Sequence, residues 1–216
     1  LISGSGSFDT KNVANDKTVT VSDVTTLTKT NGTGAWSNYN LTTTGAKTTT
    51  ANITKKEVTL DSITASNKTY DGSTTATITS GSIGGTVNSE TLAISGSGSF
   101  DNKNVANSKT VTVSDVTTLT KADGTGSWNN YSLATGSKTT TANITKKTIT
   151  LSGITADHKT YDGTTSASVS TANAVFNDKV SGDTLTVTST GTFGDKDVGN
   201  SKTVTLSNTL GGADLG

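Results

Sequence analysis

The sequence predicts an all-β protein, built from tandem β-sandwich-like modules of about 91 residues stacked into an elongated rod. Three observations predict it: a Thr- and Val-rich composition without Pro, apolar residues alternating with polar ones, and an internal repeat. Of the 216 residues, 29% are hydrophobic and 16% charged. So few apolar residues would suit a disordered chain if they came with high net charge or Pro-rich tracts. Here Lys plus Arg and Asp plus Glu both number 17, and Pro is absent. Thr and Val fit a pleated, half-buried surface, so thin cores and polar outer faces are expected.

Composition also excludes function classes. The chain has no Cys, so disulfides and thiolate chemistry are unavailable. Its net charge is zero and every basic residue is Lys, which argues against a nucleic-acid partner. No apolar run approaches the ~20 residues that span a bilayer.

The repeat organises the rest. The run ISGSGSF from Ile2 to Phe8 recurs from Ile94 to Phe100, an offset of 92, and Trp36 and Tyr39 recur as Trp128 and Tyr131. After a one-residue deletion the offset becomes 91, so that Ile53 maps to Ile144 and Tyr70 to Tyr161. Phe100 then maps to Phe193, an offset of 93. Residues 1–54 are therefore expected to be the C-terminal part of a first repeat, 55–145 a complete repeat, and 146–216 the N-terminal part of a third. Within the complete copy, Val58 and Leu60, Ala76 and Ile78, Leu92 and Ile94, Val111 and Val113, Tyr131 and Leu133, and Ala142 and Ile144 each alternate with polar residues. Val116 and Leu119 are read as a further strand. Roughly seven strands suit a sandwich. Between copies, TTANITKKEVTL contains no Gly or Pro, so strands are expected to run almost directly from one module into the next.

One run carries a family resemblance. Lys68-Thr69-Tyr70-Asp71-Gly72 recurs as Lys159-Thr160-Tyr161-Asp162-Gly163, followed by GTFGDKDVGNSKTVTLS, with NITKK from Asn143 before it. This resembles the YDG-type repeat of large secreted bacterial adhesins of the filamentous-haemagglutinin kind. The resemblance implies an extracellular or cell-surface location and a role in adhesion or biofilm, and it implies no catalytic residues.

Candidate sites follow from chemistry. Tyr70-Asp71-Gly72 and Tyr161-Asp162-Gly163 read as structural turns, because Gly accepts positive φ and Asp bonds to nearby backbone. Trp36, Tyr39, Trp128 and Tyr131 sit in Gly-rich segments where exposed aromatic faces would stack on sugars, yet so small a core needs its aromatics inside. The DTKN, DNKN and GDKD runs at Asp9, Asp101 and Gly194 offer oxygens for calcium, but each contains a Lys and none has a calcium-loop pattern. No other cofactor is expected. His158 is the only histidine, and its counterpart is Asn67, so triads and His-based metal sites have no basis. The chain is therefore not expected to be an enzyme. The expected function is a structural stalk whose partners are its own neighbouring repeats. Two alternatives stand beside it. One is a glycan-binding module using the Trp/Tyr loop. The other is a fibre subunit joining copies of itself through strand addition at its incomplete end repeats.

Overall fold

The computed structural model describes residues 1–30, 32–42 and 44–214. The protein is all-β, as expected. Helical structure among these residues is confined to single 3-10 turns such as Val116–Thr118 and Trp128–Asn130. The chain divides into two compact units, each assembled from several segments.

The first unit comprises residues 1–64, 78–96 and 113–138. Its centre is Lys56–Ala65, where Val58, Leu60 and Ile63 point inward between exposed polar residues. Tyr131–Leu133 lies parallel to the start of this strand, in register Tyr131 to Lys56 and Leu133 to Val58. Thr75–Gly84 lies on its other side, followed by Leu92–Phe100, against whose beginning Thr120–Asp123 runs antiparallel. Val58, Leu60, Ile78, Leu92, Ile94, Val113, Leu119, Trp128, Tyr131 and Leu133 are all buried here. A separate three-stranded sheet, Ser7–Phe8, Ala14–Val21 and Lys47–Ile53, carries the earlier residues.

The second unit comprises residues 65–77, 97–112 and 139–216. Phe100 faces Val111 across an antiparallel pair, and Ala106–Val113 is flanked by Lys138–Thr145. The end of that strand pairs in parallel with Lys68–Thr69. Ala76, Phe100, Val111, Ala142 and Ile144 form a small core. Later in the unit, Thr186–Phe193 pairs along its whole length with Val204–Gly211.

Thr–Val alternation places Val111, Val113 and Ile144 inside, because side chains two apart share one face of a strand. The expected strand through Val116 and Leu119 is instead a 3-10 turn, Val116–Thr118. Its two apolar residues are three apart, the 3-10 period. Asp115 caps the turn by accepting a hydrogen bond from the Thr117 amide at 2.9 Å.

Candidate functional site

Both Tyr-Asp-Gly runs form the same self-bonded turn. Gly72 and Gly163 take φ of 79° and 78°, a conformation that costs a residue with Cβ but not Gly. Asp71 Oδ1 accepts from the Ser73 amide at 2.9 Å, and Asp162 Oδ1 from the Thr164 amide at the same distance. The turn is then clamped by the Lys three residues before the Asp. Lys68 Nζ reaches Asp71 Oδ1 at 2.7 Å, donates to the carbonyls of Ser73 and Thr75, and lies 5.7 Å from the Phe100 ring centroid. Lys159 repeats the arrangement with Asp162, Thr164, Ser166 and Phe193. Tyr70 is half-buried, whereas Tyr161 is exposed.

The hydrogen bond from Lys68, then that from the Ser73 amide, holds the Asp71 carboxyl at a pKa of about 2; Lys159 and Thr164 do the same to Asp162. A carboxyl depressed on folding contributes stability above its ordinary pKa of 3.8, and loses it as pH falls from about 4 to about 2. Melting temperature is therefore expected to decline across that window. The decline should be shallower in Asp71→Asn/Asp162→Asn, which a pH series of thermal melts measures.

The second recurring device centres on a buried lysine. Lys109, with a side chain only 5% exposed, reaches Asp101 Oδ1 and Asn102 Oδ1, both at 2.7 Å. Lys17 makes the equivalent bonds to Asp9 at 2.7 Å and Thr10 at 2.6 Å, and Lys202 pairs with Asp195 and the Asp197 carbonyl. The oxygens weighed for calcium thus face an ammonium group that belongs to the chain itself. Each lysine directly follows a residue at positive φ: Asp16, Ser108 or Ser201. In the first two copies the amide of that residue is taken up by the asparagine of NITKK, Asn52 Oδ1 at 2.8 Å and Asn143 Oδ1 at 2.7 Å. Among the described residues, no group of three or more His, Cys, Asp or Glu is placed to hold a metal.

The aromatic candidates separate by copy. Trp128 is buried, its Nε1 donates to the Ala93 carbonyl at 3.0 Å, and Lys121 lies 5.2 Å from its ring centroid. Tyr131 is buried and its hydroxyl donates to Glu90 Oε2 at 2.5 Å. Trp36 is half-buried, with Nε1 donating to the Thr30 carbonyl at 3.3 Å and Lys29 over its ring. Tyr39 is 70% exposed. Tyr131 differs because Tyr131–Leu133 is paired with Lys56–Ala65, whereas residues 39–41 belong to no strand.

A further cluster joins residues of successive copies within each unit. In the first unit, Lys11 Nζ lies 2.6 Å from Glu90 Oε1, beside the Tyr131 hydroxyl on Oε2. The Val13 amide donates to Asn130 Oδ1 at 2.9 Å, and Asn130 Nδ2 to Asn12 Oδ1 at 3.1 Å. The Lys11 hydrogen bond, then that from Tyr131, lowers the Glu90 pKa; burial, then Glu90, raises that of Tyr131. In the second unit the repeat equivalents are Lys103 and Asp183, 3.6 Å apart, with Tyr70 donating to the same Asp183 oxygen at 3.1 Å. Nothing in the sequence pairs these residues, because Glu90 and Asp183 share a charge but not an identity. Recurrence of KNV at Lys11 and Lys103, ahead of an acid at the same repeat position, is the signal that would have found them.

These turns and lysine clamps recur at the repeat interval. A model of the YDG domain matches residues 54–142 and again residues 145–216. The chain belongs to the YDG domain family. No curated protein and no solved structure matches it. The Tyr-Asp-Gly residues of both YDG matches lie in the lysine-clamped turns. Chemically, the YDG turn binds its own backbone and neighbouring lysine. No helix among the described residues is long and apolar enough to cross a membrane.

Proposed function

We propose that these YDG modules are structural spacers in the stalk of an extracellular bacterial adhesin or biofilm-matrix protein, with no enzymatic role. The observation that carries this reading is how the complete copy uses its ligand-capable groups. Trp128 and Tyr131 are in the core with their polar atoms hydrogen-bonded, and the Asp71 carboxylate is committed to its own turn and Lys68. A module whose recurring residues serve its own folding contributes length and stiffness, which is what a stalk needs. The bacterial-surface setting rests on the YDG resemblance of the repeated motifs. On this reading the partners are neighbouring modules of the same chain, and no cofactor is required.

The exposure of Tyr39 favours a second reading, a glycan-binding face in the first copy. A glycan array probed with the chain and with Tyr39→Ala separates the two. The spacer reading expects no sugar to be retained specifically. Specific retention that disappears in Tyr39→Ala would replace the spacer by a binding module.

A further inference from the structure

We propose that the Tyr-Asp-Gly turn is a recognition element for the next copy of the repeat, and that its partner there is a four-residue turn of the form Val-x-x-acid. The Asp of the motif serves its own turn, through Lys68 and the Ser73 amide. Tyr70 and Gly72 instead meet residues of the following copy. The Tyr70 hydroxyl donates to Asp183 Oδ1 at 3.1 Å, across 113 residues of sequence. A Cβ added at position 72 would stand 2.8 Å from Val180 Cγ1, closer than Cβ atoms approach one another's neighbours. Valine is stiff at χ1, so this methyl does not swing aside cheaply. Gly72 therefore answers two demands, a φ of 79° and the close approach of the next copy.

Val180 and Asp183 are the two ends of one turn. The Asp183 amide donates to the Val180 carbonyl at 3.2 Å, and Gly182 between them has a φ of 93°. The Asp183 side chain is only 9% exposed, and Lys103 of the preceding copy lies 3.6 Å from the oxygen that Tyr70 uses. The same turn recurs from Val87 to Glu90, where the Glu90 amide donates to the Val87 carbonyl at 2.9 Å and Ser89 has a φ of 57°. There too a lysine of the preceding copy meets the acid, Lys11 at 2.6 Å. The partner turn thus offers an apolar end and an anionic end, and the motif answers them with a glycine and a hydroxyl. This makes the contact selective. A residue larger than Val at the first position would collide with the glycine, and a fourth position without an acceptor would strand the hydroxyl.

The motif's internal bonding is separable from this contact. Tyr161-Asp162-Gly163 has the same Asp bond, lysine clamp and positive φ, with nothing within 4 Å of a Cβ added at position 163. The inference concerns how successive copies join, and it does not depend on the spacer reading.

Hydrogen exchange of the full chain, followed by mass spectrometry, tests it. Tyr70→Phe is expected to speed exchange in residues 178–185 about fivefold, the scale of one lost hydrogen bond, while residues 71–75 keep their protection. Gly72→Ala should speed exchange in 178–185 as well, and Gly163→Ala should not. The two alanines bear the same positive-φ cost, and position 163 shares a copy with residues 178–185. A merely local role for the glycines therefore predicts the opposite order. Unchanged exchange in 178–185 on Tyr70→Phe overturns the proposal. So does a Gly163→Ala variant that loosens this segment as much as Gly72→Ala.

Discussion

Ile78→Asp is expected to unfold the protein at room temperature, while Thr77→Asp, one residue earlier, is expected to fold normally. Ile78 is 1% exposed, on the inward face of Thr75–Gly84, and Thr77 is on the outward face of the same strand. An aspartate at position 78 loses the burial of an isoleucine, about 2 kcal/mol, and must also either place a charge in the core or bind a proton there. Together these costs are several kcal/mol, against a total stability of about 5–15 kcal/mol for an ordinary domain. With so low an apolar content, this core is expected near the bottom of that range. A charge at position 77 stays in water, and outward substitutions of this kind stay within about 0.5 kcal/mol. Thermal melts followed by circular dichroism compare the two. Equal melting temperatures would mean that the inward face has been assigned wrongly.

Asp101→Ala is expected to destabilise the protein and to lower its melting temperature. The substitution leaves the Lys109 ammonium, with its 5% exposed side chain, without its carboxylate. Asn102 Oδ1 remains at 2.7 Å, and Asp101 itself is half in solvent, so the loss falls below the full cost of stripping a buried pair. Removing both charges should restore much of it. Asp101→Ala/Lys109→Met exchanges a buried ion pair for an apolar side chain, a replacement that is often neutral. A double-mutant cycle on these positions is expected to show that the two substitutions are coupled, not additive. Additive effects would reduce the pair to an ordinary surface contact.

The strands were legible where their apolar residues alternate. Val58 with Leu60 and Val111 with Val113 are buried in strands as the period of two requires. Val116 and Leu119 misled because a short apolar pair does not declare its element; only their spacing of three indicated a 3-10 turn. The Tyr-Asp-Gly turns were readable from local chemistry, since Asp71 bonds to the amide two residues on. Their lysine clamps were not, because a lysine between polar residues reads as solvated. Lys68 is held by Asp71, Ser73 and Thr75, and by Phe100, which is 32 residues away in sequence. The aromatics expose the limit of a repeat argument. Tyr39 and Tyr131 share a sequence context, yet one is exposed and the other buried, because burial depends on the strand at Lys56–Ala65 against which only Tyr131 lies.

The central claim, that these modules serve as spacers, is tested most directly by small-angle scattering from the chain in dilute solution. Each strand residue rises about 3.3 Å, so a module of strands six to ten residues long with its end loops would extend on the order of 35–45 Å. A little over two such modules in series should give a long-tailed distance distribution reaching roughly 100 Å. A symmetric distribution with a radius of gyration near the ~17 Å of a compact globule of this length would contradict the spacer reading.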